Sequence, residues 1–204
     1  QTTVLPDAMI DCHAHLTSQD FDADRDAVLA RAWSAGVTHI ALMGQDAAEN
    51  ADVLRAVQSS GTERPALLAF VGLHPDRFGD DAPPPGEDEV EAVCAEARRA
   101  RRMLAGIGEV GLDHWRCKDE RLRGLQRAAF ERLIALALEL DLPLNVHSRS
   151  AGRRAIDLLL ERGARRVLIH AFDGKAGHAL AGAEAGFVFS IPPSIVRSEQ
   201  KQKL

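Results

Sequence analysis

The chain has 204 residues, of which 46% are hydrophobic and 27% charged, a composition that favours one sizeable domain with a buried core. The formal net charge of -5 and the pI near 5.9 exclude the broad basic surface of a general nucleic-acid-binding protein. Cys12, Cys94 and Cys117 are odd in number and widely spaced, which argues against a disulfide framework.

The first predicted strand, near residue 9, leads into the segment DCHAH at residues 11–15. Because side chains alternate along a strand, His13 and His15 are expected on one face, with Asp11 behind them and able to orient them. Cys12 is expected to face away from them as a small core residue. Paired neutral imidazoles supply half of a metal site; the other interpretation is a pair of exposed loop histidines.

Strands and helices alternate along the rest of the chain. A helical segment that ends at Gly36 precedes an apolar strand, and the same order recurs at Gly163 and Gly186, where glycine supplies a left-handed cap. An amphipathic helix is predicted to start near Asp119. This alternation predicts a parallel sheet covered by helices. The predicted strands lie near residues 9, 37, 66, 104, 143, 166 and 187.

Three of the later strands end in a residue that can bind a metal, namely Glu109, His147 and His170. One such residue alone is usually a hydrogen-bonded structural group. Together with the paired histidines they favour a dinuclear site, since imidazole and carboxylate suit Zn²⁺, Mn²⁺ or Ni²⁺ and a carboxylate can bridge two ions. Catalytic groups at several strand ends are typical of a closed β/α barrel. An open doubly wound sheet would usually carry a glycine-rich phosphate loop, which the first strand lacks.

The chain resembles the TatD family of metal-dependent hydrolases in segments that occur in family order over nearly its whole length. These segments are IDCHAHL at residues 10–16, VGLHP at 71–75, GEVGLD at 108–113, PLNVHSR at 143–149 and HAFDG at 170–174. Within the family, residues 147–152, Asp173 and residues 191–195 look most like the third of the vertebrate TatD-domain proteins.

The resemblance implies a TIM-type (β/α)8 barrel that hydrolyses phosphodiesters, as the deoxyribonucleases of the family do. It implies two divalent ions, which could be zinc, manganese, nickel or magnesium. His13 and His15 would hold the first ion and His147 and His170 the second, while Glu109 would bridge both and is the expected catalytic residue. Such a pair of ions can activate a water and stabilise the attacking and leaving oxygens.

One family feature is missing, because the pattern places an aspartate at the end of an eighth strand and this chain stops at Leu204. The eighth strand and the last helices are therefore expected to be absent. We interpret residues 1–204 as a single hydrolase barrel domain, incomplete at its C-terminus, with the remainder of the same polypeptide as its expected partner. If the chain truly ended there, a non-catalytic scaffold would become credible.

Two further residues are candidates for substrate binding. His74 ends the third predicted strand, where it could contact a substrate phosphate or make a structural hydrogen bond to a loop. Arg149 shares the side of His147, and its planar guanidinium suits bidentate phosphate binding, although a salt bridge with Asp113 or another acid is the alternative. Asp113 is expected to orient a ligand or Arg149. His114 is expected to be exposed over the mouth of the barrel.

We therefore predict a metal-dependent phosphodiesterase, of TatD-like deoxyribonuclease type, that acts on DNA ends or small phosphodiesters. An amidohydrolase or lactonase is the alternative, since the same barrel and ligands polarise carbonyl groups. Aromatic residues make up 4% of the chain and tyrosine is absent, which leaves few stacking platforms for single strands. Apolar runs fall short of the roughly 20 residues of a membrane span, and residues 1–9 lack a signal-peptide pattern. We expect a cytoplasmic protein without a membrane partner.

Overall fold

A computed structural model describes residues 9–60, 65–81, 83–199 and 202 of the chain. Within these ranges, 7 parallel strands form one sheet in which every strand pairs with its neighbours in sequence. The strands are β1 (Met9–Ala14), β2 (Val37–Met43), β3 (Ala66–Val71), β4 (Leu104–Gly111), β5 (Leu144–His147), β6 (Val167–Ile169) and β7 (Val188–Phe189). All the predicted strands are present, and the sequential parallel order is that of a TIM-type barrel.

One α-helix lies in each connection between consecutive strands. The helices are α1 (Arg25–Ser34), α2 (Ala47–Ser60), α3 (Glu87–Arg99), α4 (Glu120–Glu139), α5 (Gly152–Glu161) and α6 (Ala176–Glu184). The start predicted for α4 is confirmed, because the Asp119 side chain caps this helix by accepting a hydrogen bond from the Leu122 N–H at 2.9 Å. In the parts of the chain that the structure describes, no helix is long and apolar enough to cross a membrane.

The hydrophobic core lies between the outer face of the sheet and the helices. Strand residues such as Ile40, Val71 and Val146 point outward and are almost completely buried. They belong to the same cluster as Phe130 of α4 and Leu159 of α5. The burial of apolar surface, which contributes a free energy of about 25 cal/mol per Å², is the main stabilisation of the helices on the sheet.

The inner face of the sheet is open on one side. Within the described residues β1 and β7 pair only with β2 and β6, so the sheet curls without closing. An apolar cavity of about 440 Å³ fills the inside, and its lining includes Ile10, Cys12 and Val188. Cys12 therefore lines the interior below the histidines. Ile10 and Val188 remain 59% and 61% exposed at the two free edges.

Glycines let the strands approach closely where their carboxyl ends meet. Gly111 ends β4 with φ +143, and a Cβ placed there would lie 2.0 Å from the His147 carbonyl oxygen. Gly72 follows β3, where a Cβ would lie 2.5 Å from the Glu109 carbonyl oxygen. Both positions require glycine, because any side chain would push apart the strands that carry Glu109 and His147.

We expect Gly111→Ala to lower the free energy of unfolding by at least about 2 kcal/mol, since it combines a disfavoured backbone conformation with a steric clash. Gly124→Ala is the matched control, because Gly124 lies inside α4, where an added Cβ would meet no atom of a neighbouring element within 4 Å. That control should raise the free energy of unfolding by about 0.5–1 kcal/mol. Urea denaturation of the two variants measures both changes, and equal stability would contradict this view of Gly111.

Candidate metal centre

The carboxylate of Glu109 lies at the centre of a ring of imidazoles. Glu109 is 1% exposed, near the end of β4. Its Oε2 lies 3.3 Å from His13 Nε2 and 3.2 Å from His15 Nε2, and its Oε1 lies 2.8 Å from His147 Nδ1, 3.3 Å from His74 Nε2 and 3.5 Å from His170 Nε2. All the residues predicted as metal ligands therefore come together, and His74 joins them. They sit at the carboxyl ends of β1, β3, β4, β5 and β6 or directly after them.

Glu109 belongs to two separate groups of potential donors. One group contains His13 and His170, the other His74 and His147, and in each the donor atoms lie within 4.8 Å of one another. His13 and His170 stack with ring centroids 3.6 Å apart and an interplanar angle of 7°. The geometry therefore places His170 beside His13, whereas the sequence paired His170 with His147.

The His13 ring is oriented by Asn145 on the opposite side of the sheet. His13 Nδ1 lies 2.9 Å from Asn145 Oδ1, and Asn145 Nδ2 donates to the Cys12 carbonyl at 2.8 Å. The side-chain oxygen can only accept, so His13 Nδ1 donates to Asn145 Oδ1 and the ring is turned with Nε2 toward Glu109. Sequence analysis missed Asn145, although it precedes His147 by two residues on the same strand and shares its face.

The expectation that Asp11 orients the histidine rings was wrong. The Asp11 carboxylate is exposed and accepts a hydrogen bond from the His13 backbone N–H at 3.1 Å. The reason lies in β1, whose pairing with β2 shifts register between Asp11 and Ala14. Such a bulge inserts an extra residue and interrupts the alternation of side chains on which the expectation rested.

The His147 ring is held between two carboxylates. Its Nδ1 faces Glu109, and its Nε2 lies 3.0 Å from Asp113 Oδ2. Asp113 Oδ1 also accepts from the backbone N–H groups of Trp115 and Arg116, each at 2.8 Å. Burial raises the pKa of Asp113, but these hydrogen bonds outweigh it and leave the pKa below its usual value. The prediction that Asp113 orients a neighbouring side chain is confirmed for His147.

His74 bridges Glu109 and a loop carboxylate. Its Nδ1 lies 2.7 Å from Asp76 Oδ1 and 3.2 Å from the Asp76 backbone nitrogen. The shorter contact is to an acceptor, so Nδ1 carries a proton. Burial lowers the pKa of His74, but hydrogen bonds to Asp76 and Glu109 outweigh it and raise the pKa to about 10. In this arrangement His74 is an imidazolium at neutral pH.

The charge states of Glu109 and His170 follow from their burial and from their contacts with neighbouring side chains. Burial raises the pKa of Glu109, but hydrogen bonds from the surrounding histidines prevail and bring it well below its usual value. Burial, followed by the charge of His13, lowers the pKa of His170 to about 4. The centre therefore combines an ionised carboxylate with a neutral imidazole, both of which are ready to bind a cation.

Arg149 lies at the mouth of this centre but has a different neighbour from the one predicted. A cleft of about 250 Å³ is lined by Arg149, His147 and His170. The guanidinium carbon lies 5.0 Å from the centre of the Trp115 ring. Within the described ranges Arg149 makes no ion pair, so the alternative of a salt bridge with Asp113 was wrong. His114 is 8% exposed and contacts Arg154, which contradicts the expectation of an exposed side chain.

The donor set fits a divalent cation. Donors that share a zinc ion at ~2.0–2.2 Å in tetrahedral geometry lie about 3.3–3.6 Å apart. The contacts of Glu109 with His13, His15 and His170 span 3.2–3.5 Å, and His147 lies closer, at 2.8 Å. A buried anion among imidazole nitrogens is also a combination that a cation would neutralise.

Comparison of the chain with known proteins identifies a matching protein family. A family model described as "TatD related DNase" matches residues 10–204. The chain is 41% identical over 207 residues to human deoxyribonuclease TATDN3, covering 96% of this chain and 72% of that protein. It is 33% identical over 186 residues to the 3'-5' ssDNA/RNA exonuclease TatD of Citrobacter rodentium, covering 90% of this chain and 66% of that protein.

A solved structure shares the architecture. The crystal structure of YJJV, a TatD homologue from Escherichia coli K12, superimposes with a TM-score of 0.75 at 26% identity. The match covers 89% of this chain and 66% of that one. The fold class predicted from strand order and from motif resemblance is therefore confirmed.

The imidazolium of His74 predicts a pH-dependent stability in chelator-treated protein. Its pKa is raised from 6.5 to about 10, so its contribution to the free energy of unfolding is complete below pH 6.5 and disappears as pH rises through 10. Asp76→Asn removes the nearer carboxylate. We expect the stability difference between wild type and Asp76→Asn to shrink over this pH range in urea denaturation. Asp26→Asn, at an exposed position on α1, should show a constant difference, and a constant difference for Asp76→Asn would refute the charge on His74.

Proposed function

Because the chain belongs to the TatD-related DNase family, we propose that it is a metal-dependent hydrolase that cleaves phosphodiester bonds at DNA ends. The observation that carries this proposal is the position of Glu109, a buried carboxylate shared by two groups of imidazoles. A shared carboxylate of this kind suits a pair of divalent ions. The exonuclease name of the Citrobacter relative supports strand ends as the site of attack.

In this proposal His13, His15, His147 and His170 would hold the two ions, with Glu109 as the carboxylate that lies among all four imidazoles. When bound, such ions lower the pKa of a water to make a nucleophile and neutralise charge on the attacking and leaving oxygens. The chain's own contribution is to fix the donors. Asn145 fixes the orientation of the His13 ring, and Asp113 fixes that of the His147 ring, so that in each case the other ring nitrogen faces the centre.

A cationic group at the mouth of the centre favours a phosphate substrate. His74 is 7% exposed and its two ring nitrogens face Asp76 and Glu109, so its positive charge is already paired within the centre. Arg149 adds an exposed guanidinium that lines the same cleft as His147 and His170. In the described residues Arg149 makes no ion pair, and a neutral amide or lactone would leave its charge without a partner, which is why we favour the phosphodiesterase over the amidohydrolase or lactonase.

Glu109→Gln tests the shared carboxylate. The neutral amide cannot balance two cations, so we expect metal content to fall and turnover to drop by more than the ~10–100-fold typical of losing a residue that only supports a ligand. Single-stranded DNA, a chromogenic phosphodiester and an amide and lactone panel should be assayed with zinc, manganese, nickel and magnesium. Hydrolysis of the amides or lactones alone would overturn the substrate class.

The control for this experiment is Glu184→Gln, at an exposed position on α6. It removes one carboxylate without touching the centre, so activity and metal content should match wild type. Thermal unfolding of both variants in chelator separates a loss of function from a loss of fold. Near wild-type turnover and metal content in Glu109→Gln would show that the carboxylate does not bridge ions.

Asn145→Ala tests the support of His13. Removal of the amide frees the buried His13 ring to rotate, and we expect metal affinity to weaken ~10–100-fold, the usual effect of losing a group that orients a ligand. Asp11→Asn is the comparison, because its side chain can still accept from the His13 backbone N–H and touches no ring. Isothermal titration of the metal-free proteins measures both affinities. Equal effects of the two substitutions would contradict the assignment of Asn145.

A further inference from the structure

Trp115 carries a large aromatic side chain on the protein surface. It lies between β4 and α4 and is 56% exposed, the only aromatic residue among the large exposed apolar side chains in the described part of the chain. The chain contains 2 tryptophans and no tyrosine, so an indole on the surface stands out. An exposed tryptophan offers a flat surface of the kind on which nucleobases stack.

Two cations lie over the ring of Trp115, a residue that is still 56% exposed. Arg149 Cζ lies 5.0 Å and Lys118 Nζ 5.2 Å from the ring centre. Lys118 Nζ also donates to the His114 carbonyl at 3.0 Å. In the residues that the structure describes, neither cation makes an ion pair with a carboxylate. Their charges therefore remain available to an anionic ligand beside the ring.

Hydrogen bonds tie this aromatic group to the candidate metal centre. The Trp115 backbone N–H donates to Asp113 Oδ1, and Oδ2 of the same carboxylate contacts His147. From the other side, the His114 N–H donates to the Arg149 carbonyl at 3.0 Å, and Arg149 follows His147 by two residues. These links hold the backbone segments that carry Trp115 and Arg149 beside His147.

We propose that Trp115, Arg149 and Lys118, together the Trp115 platform, bind one nucleotide of a single-stranded polynucleotide beside the bond that is cleaved. The nucleobase stacks on the indole, and the two cations contact the phosphates that flank it. This inference rests on the proposed function and adds a positioning role for Trp115. It also explains how an acidic chain can hold DNA, because the positive charge is local to the mouth of the centre.

The stacking step has a direct optical test. Trp33→Phe leaves Trp115 as the only tryptophan, and Trp33 lies on α1, away from the strand ends. We titrate this variant, with divalent metal replaced by chelator to prevent cleavage, with short oligothymidylate. Saturable quenching of the Trp115 emission is expected. An abasic oligonucleotide of equal length, which has the phosphates without the bases, should give little quenching, and equal quenching by both would overturn base stacking.

Binding affinities for oligonucleotides separate the contribution of base stacking from that of the phosphate contacts. Fluorescence anisotropy of labelled oligothymidylate should show ~5- to 150-fold weaker binding for Trp115→Ala, as expected for the loss of one stacked base at about 1–3 kcal/mol. Trp115→Phe should recover much of this affinity. With the abasic oligonucleotide, wild type and Trp115→Ala should bind alike. Arg149→Ala should weaken binding of both oligonucleotides, and it should reduce the salt dependence of Kd.

The outcomes distinguish this inference from the proposed function. Unchanged affinity in Trp115→Ala, together with normal cleavage of single-stranded DNA by wild type, refutes the platform and leaves the hydrolase in place. Base-dependent binding by Trp115 without cleavage under any metal refutes the hydrolase and leaves the platform in place. An equal effect of Trp115→Ala on both oligonucleotides would mean that the indole only holds Arg149, which also overturns the base contact.

Discussion

The ionised carboxylate of Glu109, buried at the end of β4, is the constraint on which the rest of the site depends. A buried charge is costly unless it is paired and hydrogen-bonded, and imidazoles from neighbouring strands provide that pairing here. The parallel sheet makes this arrangement possible, because it brings the carboxyl ends of distant segments to one edge. Close packing at Gly72 and Gly111 then brings the strands that carry Glu109 and His147 into contact.

A second layer of contacts decides how the imidazoles present their nitrogens. Asn145 and Asp113 each hold the ring nitrogen that points away from Glu109. The two are not equivalent, since Asn145 is neutral and Asp113 is a carboxylate. A carboxylate partner stabilises positive charge on His147 and makes it a stronger donor to a cation than His13. The two sides of the centre therefore differ in electrostatic character even though both contain histidine.

The mouth of the candidate metal centre contains aromatic and positively charged side chains. The chain is acidic and poor in aromatic residues, yet an exposed indole, a guanidinium and an ammonium meet at the end of β4. Asp113 links the candidate metal centre to the Trp115 platform, because one of its oxygens contacts the His147 ring and the other accepts from the Trp115 backbone. Displacement of the platform would therefore also disturb a candidate ligand.

The sequence by itself determined the strand order, the strand-end positions of His13, Glu109, His147 and His170, and the family. These follow from local patterns, since hydrophobic periodicity, glycine caps and polar strand endings are each written within a short stretch of chain. The convergence of those residues could be predicted because parallel strands share an edge.

Only the tertiary structure decided which side chains touch. The bond from His13 to Asn145 joins residues 132 positions apart, and no local pattern encodes such a partner. The bulge in β1 turned Asp11 away from the rings, and the curl of the sheet placed His170 against His13. Arg149 lies over the Trp115 ring, whereas Asp113 contacts His147 and two backbone N–H groups. Which of several possible partners a side chain contacts depends on the tertiary structure.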